Sequence, residues 1–491
     1  MDTYTMDINA RMELFNSYLD RSGLDHKDYQ QDGVRWCLNN ELRENPPHKV
    51  RGGFIADEMG LGKTILMLGT MVANCMTSTL IVLPPVLLDQ WHLQILRTTG
   101  HNAFIYHGPT KKTTTVEQLE NKIIVLTTYG AISLTKKQLA NHELTPLHEV
   151  SWNRIIFDEA HHLRNKKTAL HMSSLLLRAK IRWLVSGTPV QNKKQDLYNL
   201  CSVIGLPASF CVNPDQIARD FILKRTKKQV GILLPELHID SNVVEWTNQK
   251  EKDLSEEIHS ELAFSRVSGS KSGRFCASIS TDNEKGRVLA LLIKAKQSCV
   301  MPKLMGASLN KLVKEGLFED PEAYKEALSK SSKLDFVVSS ILERKDNGCG
   351  KLIFCNYRQE IDDIATRLRS GGMNVATFDG RTSQSMRHEI LSQKNDALIL
   401  QIQTGCEGLN LQENYSEIYF VSPHWNPSVE DQAIARCHRI GQTKPVYVRR
   451  FEMAKFDRDA EQTMDTVTID SYVSSVQDKK RVITAECIYV E

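Results

Sequence analysis

Residues 52–64 read GGFIADEMGLGKT. The opening run GGFIA is short and apolar, a helical pattern begins near Lys63, and the turn between them carries Gly60 and Gly62. Strand, glycine turn and helix together form a setting that can surround a phosphate. Glycine lets backbone N–H groups approach without a Cβ, and the helix presents its positive end to the same anion. Lys63 would reach the β- and γ-phosphates, and the Thr64 hydroxyl would ligate Mg2+. The pattern departs from G-x-x-x-x-G-K-[ST] at one place: Asp57 stands where the first glycine would fall.

Working outward, TLIVLPP, IIVLTTY, RIIFDEA and WLVSG follow as further short apolar runs. Runs without polar alternation belong to strands buried on both faces, and their alternation with helical patterns predicts a parallel sheet covered by helices. The pattern restarts after residue 350 with KLIFC, NVATFDG, ALILQI and EIYFVS. The expected fold is therefore α/β, with two halves of one kind. The region between them reads as amphipathic helices (EKDLSEEIHSELAFSRV and RVLALLIKAKQ) around a Ser/Gly-rich loop near 265–285. The expected division is 1–235, a helical insertion at 236–345, and 346–491.

RIIFDEAHH puts Asp158 and Glu159 at the end of a buried strand. Ligands of open α/β sheets collect at the carboxyl ends of strands, so this pair and the glycine turn can face one crevice. Two carboxylates suit nucleotide hydrolysis: Asp158 to hold Mg2+, Glu159 to orient and deprotonate the attacking water. In the second half, VEDQAIARCHRIGQ reads as a helix ending at Gly441, with Gln432, Arg436 and Arg439 on one face. Spacing leaves two roles open for that face, a salt-bridged solvent surface or a pair of arginine fingers for a nucleotide.

The chain has 491 residues, with 62 Lys plus Arg against 59 Asp plus Glu, a net charge of +3. A hydrophobic share of 41% excludes disorder throughout, and the balanced charge excludes a polybasic tail protein. No apolar run approaches the roughly 20 residues of a membrane span, and MDTYTMDINARMELF has no signal-peptide core. The 11 cysteines include no CxxC pair, so no zinc module is expected. The expected location is intracellular: the nucleus in a eukaryote, otherwise the cytoplasm or a virus-infected cell.

Taken in order, YQQDGVRW, DEMGLGKT, LIVLPPVLLDQW, VLTTYG, DEAH, SGTPVQN, LKRTK, FDGRTS, GLNLQ, WNPSVEDQAIARCHRIGQ and VYVRRF closely resemble the Swi/Snf-like ATPases of helicase superfamily two. The resemblance covers about residues 24–455. It implies two RecA-like lobes, each a parallel sheet flanked by helices, that bind ATP with Mg2+ and translocate on double-stranded DNA, nucleosomal or protein-bound DNA included. By resemblance, Gln30 recognises adenine, and Asp57, Glu58, Met59, Gly60, Leu61, Gly62, Lys63 and Thr64 form the phosphate loop. Ser186, Gly187 and Thr188 couple nucleotide state to lobe position, and Arg436 and Arg439 become the fingers. Gly408, Leu409 and Asn410 sense DNA and ATP together, although Cys406 replaces a glycine usual in that loop. Pro84 and Thr128 are the implied DNA contacts. The short flanks imply a minimal motor directed by a partner protein or by DNA structure. The alternatives are a strand-separating DEAH-type helicase and an inactive DNA-binding scaffold.

Overall fold

The computed structural model describes residues 3–187, 194–262, 282–306, 324–405, 409–456 and 467–488. The chain forms two compact units, one of residues up to Leu233 with the end from Lys480, the other Leu234–Lys479.

In the first unit seven strands form one sheet: β1 (Gly52–Ile55), β2 (Thr79–Leu83), β3 (Phe104–Tyr106), β4 (Ile124–Thr128), β5 (Ser151–Asp158), β6 (Arg178–Val185) and β7 (Ile222–Leu223). Their order is β3-β4-β2-β5-β6-β1-β7, and every pair is parallel. Side chains alternate across a strand. In β2 and β5, Leu80, Val82, Ile155 and Phe157 therefore enter one core, while Ile81, Leu83 and Ile156 enter the other. Both faces are covered, which is why these strands read as unbroken apolar runs.

The helix Thr3–Ser22 was not legible from any motif. It sends Ile8, Met12, Phe15 and Leu19 into the second of those cores, at the 4-3-4 spacing of one helical face. Phe15 lies so close to the helix Lys63–Ala73 that a Cβ on Gly69 would fall 2.3 Å from its ring. The N-terminal helix thus braces the helix that follows the glycine turn.

The second unit holds a six-stranded parallel sheet of β8 (Leu237–Val244), β9 (Gly350–Cys355), β10 (Val375–Phe378), β11 (Ala397–Gln401), β12 (Tyr415–Phe420) and β13 (Val446–Met453). Its order is β10-β11-β9-β12-β13-β8. The expected insertion at 236–345 is corrected here. It begins with β8, the edge strand of this sheet. Leu254, Ile258, Ala295, Cys299, Val337 and Ile341 from the following helices share a core with Ile353, Cys355 and Tyr419. LHIDSNVV was missed because an edge strand half open to solvent carries Asp, Ser and Asn rather than an apolar run. Most of the expected Ser/Gly loop near 265–285, residues 263–281, lies outside the described residues, as do Thr188, Cys406 and Gly408.

Candidate nucleotide-binding site

Sheet register sets the site. Ile55 of β1 pairs with Val185 of β6, Val185 with Asp158 of β5, and Ile55 with Leu223 of β7. The glycine turn, the SGT segment, the carboxylate pair and the LKRTK segment therefore leave the sheet from one level, at the carboxyl ends of adjacent strands. This is where open α/β sheets take ligands.

Gly60 and Gly62 have φ of 92° and 78°. Side chains rarely adopt this left-handed region, which turns successive amides toward one side. A Cβ on Gly62 would stand 2.6 Å from Gln30 Nε2, so the glycine also makes room for the buried Gln30, whose amide reaches Leu61 O at 3.4 Å. The helix Lys63–Ala73 has no side-chain cap and no acidic residue in its first turn. Its positive end can therefore serve an anion. Lys63 Nζ donates to Asp57 O at 2.9 Å, and a Cβ on Gly187 would lie 3.3 Å from that ammonium and 3.1 Å from Met59 Cγ. The SGT glycine thus lies against the glycine turn.

Asp158 is buried. Its Oδ2 accepts the Trp91 indole N–H at 2.7 Å, and its Oδ1 accepts Glu159 N–H at 3.0 Å. Burial pushes this carboxyl up to about 7, with the Glu159 charge adding, while Trp91, the Glu159 amide and Lys63 pull the other way. Glu159 has φ 51° and ψ 48°, left-handed backbone that costs a non-glycine residue about 1 kcal/mol or more. Its Oε2 lies 3.3 Å from His161 Nδ1, which faces Ser186 Oγ at the same distance. One histidine therefore links DEAH to SGT. Hydroxyl and carboxylate oxygens, the donors of Thr64 and Asp158, are the hard ligands Mg2+ prefers.

Asp57 and Glu58, expected to form part of the phosphate loop, turn their side chains to basic residues of LKRTK. The Asp57 side chain is 1% exposed. It is forked by Arg225, with Nε–Oδ1 at 3.1 Å and Nη2–Oδ2 at 2.5 Å. Arg225 also donates to Tyr29 O, next to Gln30. Glu58 takes Lys227 N–H at 2.8 Å and Lys227 Nζ at 2.9 Å. Both acids thereby pin LKRTK to the turn rather than face the anion, since a carboxylate toward phosphate would repel it. Sequence reasoning assigned no role to Arg225 or Lys227. Basic residues two apart following a short strand were the available signal.

The two implied DNA contacts are both buried, beside exposed neighbours. Pro84 is buried, and Pro85 and Val86 form the exposed tip after β2. Thr128 is 2% exposed, with its hydroxyl 3.4 Å from His107 Nδ1; the exposed residue there is Gly130. Thr128 is the last residue of the buried strand β4, and Pro84 directly follows β2.

In the second unit the helix expected to run to Gly441 ends sooner, spanning Pro427–Ile434. Arg436 and Arg439 lie in the turns beyond it, so they do not share a helical face with the buried Gln432. The helix stops because later carbonyls take other partners. Arg436 O accepts Leu411 N–H at 3.0 Å, and the Gln442 amide holds Gln412 O and Tyr415 O at 3.0 Å and Cys437 O at 3.3 Å. Arg439 donates to Asn410 Oδ1, and burial together with the Arg436 charge lowers its pKa. Among the described residues, Arg439 Nε and Gln432 Nε2 are buried without a hydrogen-bond partner. No group of metal-ligating side chains is found among the described residues, nor any helix long and apolar enough to cross a membrane.

Residues 29–304 match the SNF2-related domain, and residues 332–441 match the helicase conserved C-terminal domain. The chain is 27% identical over 512 residues to the probable global transactivator of Orgyia pseudotsugata multicapsid polyhedrosis virus, covering 98% of this chain and 95% of that protein. It is 28% identical over 493 residues to the ISWI chromatin-remodeling complex ATPase ISW2 of Saccharomyces cerevisiae. That match covers 91% of this chain but only 40% of the relative's length. Among solved structures, the Hef helicase domain of Pyrococcus furiosus matches with a TM-score of 0.50 at 16% identity, covering 87% of this chain and 95% of that one. Both units have the fold of RecA-like lobes, each a parallel sheet flanked by helices.

Proposed function

We propose that this chain, which belongs to the SNF2-related family and is an ATP-hydrolysing enzyme of the helicase type, is a translocase on double-stranded DNA that remodels DNA–protein complexes or DNA structures. The observation that carries the reading is the shared level of Ile55, Val185 and Asp158 on three adjacent strands. That level gathers a cation, two carboxylates and a glycine turn that opens a helix, the inventory of phosphoryl transfer.

In this reading Gln30 recognises adenine, and Lys63 with the amides of the glycine turn binds the phosphates. Thr64 and Asp158 hold Mg2+, whose charge would offset that building on the phosphoryl oxygens. Glu159 orients the attacking water and takes its proton. Asp57 and Glu58 fix the turn through Arg225 and Lys227. Arg436 and Arg439 act on the transition state, and Ser186 with Gly187 registers loss of the γ-phosphate through Lys63 and His161. DNA is gripped through phosphates without reading sequence, so binding weakens steeply with salt.

A chromatin-remodelling relative and a viral transactivator relative support nucleosomal or otherwise protein-bound DNA as substrate, a targeting protein as partner, and the nucleus or an infected cell as the place of action. Triplex displacement tests the reading. A third strand paired to linear duplex should be expelled with ATP and retained with a non-hydrolysable analogue, while the duplex strands stay together. Separation of a forked duplex without triplex displacement would favour the DEAH-type helicase instead.

A further inference from the structure

Asp158 is held by two aromatic donors that lie outside the nucleotide-binding motifs. Trp91 Nε1–H donates to its carboxylate at 2.7 Å, and the Tyr129 hydroxyl donates to its backbone carbonyl at 2.6 Å. The first orients the side chain. The second fixes the turn at which Glu159 adopts its left-handed backbone. Both rings are buried, at 1% and 6% exposure. A phenylalanine at 129 would keep the ring and lose only the O–H, whereas at 91 it would also leave part of the indole's space unfilled.

The two donors arrive from separate places. Trp91 lies in the first turn of the helix Leu88–Thr99, which follows β2 and the short turn Pro85–Leu87. Tyr129 is the first residue after β4. In the sheet β2 stands between β4 and β5, so both strand ends lie on one side of the strand that carries Asp158, β2 next to it and β4 one strand further. Each donor sits within a few residues of an exposed tip, Pro85 and Val86 in one case and Gly130 in the other. From Tyr129 a second line of contact runs on. Its ring is 5.0 Å from that of His162, which stacks on His161 at 4.7 Å, and His161 faces Glu159 and Ser186.

We propose that Trp91 and Tyr129 are positioning residues that transmit occupancy of the exposed tips, Pro85 with Val86 and Gly130, by DNA to the Asp158–Glu159 carboxylates. This rests on the reading of the chain as a DNA-stimulated ATPase. Hydrogen bonds this short lose strength steeply when donor and acceptor shift, so a small displacement of either tip reorients the carboxylate.

The test uses the full chain carrying Trp91→Phe, Tyr129→Phe or both. ATP turnover is measured with saturating linear duplex and without DNA, alongside KM for ATP and duplex affinity by fluorescence anisotropy. The quantity read is the ratio of turnover with DNA to turnover without. A merely structural loss removes active molecules from both measurements and leaves that ratio alone. The expected result is a fall in the ratio of about tenfold or more for Trp91→Phe, the size of one hydrogen bond to a charged group, and of about fivefold for Tyr129→Phe, whose acceptor is a neutral carbonyl. KM and duplex affinity should stay within about twofold, and the double variant should lose less than the product of the singles. Tyr129→Phe deletes one oxygen and keeps the ring, so it decides the matter if Trp91→Phe folds poorly. A wild-type ratio in Tyr129→Phe overturns this proposal and leaves the motor reading standing. A wild-type chain that duplex does not stimulate overturns both.

Discussion

Replacing Arg225 by methionine should destabilise the first unit far more than an ordinary ion-pair loss. Arg225 holds both oxygens of Asp57, at 3.1 and 2.5 Å, and also the Tyr29 carbonyl. The Asp57 side chain is buried, while that of Arg225 is 15% exposed. Removing the guanidinium strands a buried charge, which costs about 3–5 kcal/mol. For a unit of this size that is a fall in melting temperature of roughly 6–20 °C. Asp57→Asn is milder, about 2 kcal/mol, because the amide oxygen still accepts one bond and Arg225 keeps some solvent. With both replaced no unpaired charge remains, so the double variant should be less damaged than the sum by about 2 kcal/mol. KM for ATP should rise in Arg225→Met, since Tyr29 anchors Gln30 and Asp57 anchors Lys63. Thermal melts of the four proteins complete the cycle. Additivity within about 0.5 kcal/mol, or a melting temperature for Arg225→Met equal to wild type, would refute the claim that this pair holds the glycine turn.

Three further outcomes follow from the same geometry. Gly187→Ala puts a methyl group 3.1 Å from Met59 Cγ and 3.3 Å from Lys63 Nζ. Both are movable side-chain ends, so the melting temperature should hold while ATP turnover drops about tenfold or more; steady-state kinetics with a melt checks both. Arg439→Ala should lower turnover by about a thousandfold with little change in nucleotide affinity, and a loss confined to affinity, read by fluorescent-nucleotide titration, contradicts the finger role. His259 is buried, bonds Ser255 O at 2.6 Å and accepts Ile469 N–H at 2.9 Å, and burial lowers its pKa to about 4. Because the folded value lies below the unfolded one, its contribution is present above about pH 6.5 and is lost as pH falls toward 4. The second unit's melting temperature should drop over that window by the equivalent of about 3 kcal/mol at most, and His259→Gln should flatten the slope.

The nucleotide site was legible because its chemistry is written in local runs. A strand, a glycine turn and a lysine stand together at 52–64, and two carboxylates close a buried strand at 158–159. What escaped was whatever depends on distant partners. Asp57 and Glu58 sit inside the turn in sequence, yet their side chains belong to Arg225 and Lys227, more than 160 residues on. The polar edge strand β8 gave no apolar run, and only the far end of the sheet reveals it. The arginine segment kept helical spacing through Arg439, but capture of its carbonyls by Gln442 and Leu411 ended the helix at Ile434. Trp91 and Tyr129 stood in LIVLPPVLLDQW and VLTTYG with no role assigned, because nothing in their spacing announces which polar group a buried ring will meet.

The most direct test of the central claim is ATP turnover by the full chain, with and without linear duplex DNA, beside Lys63→Ala. The account predicts turnover that rises with duplex, falls as salt is raised, and is absent in Lys63→Ala at an unchanged melting temperature. Equal turnover with and without duplex, or turnover that survives loss of Lys63, would contradict it.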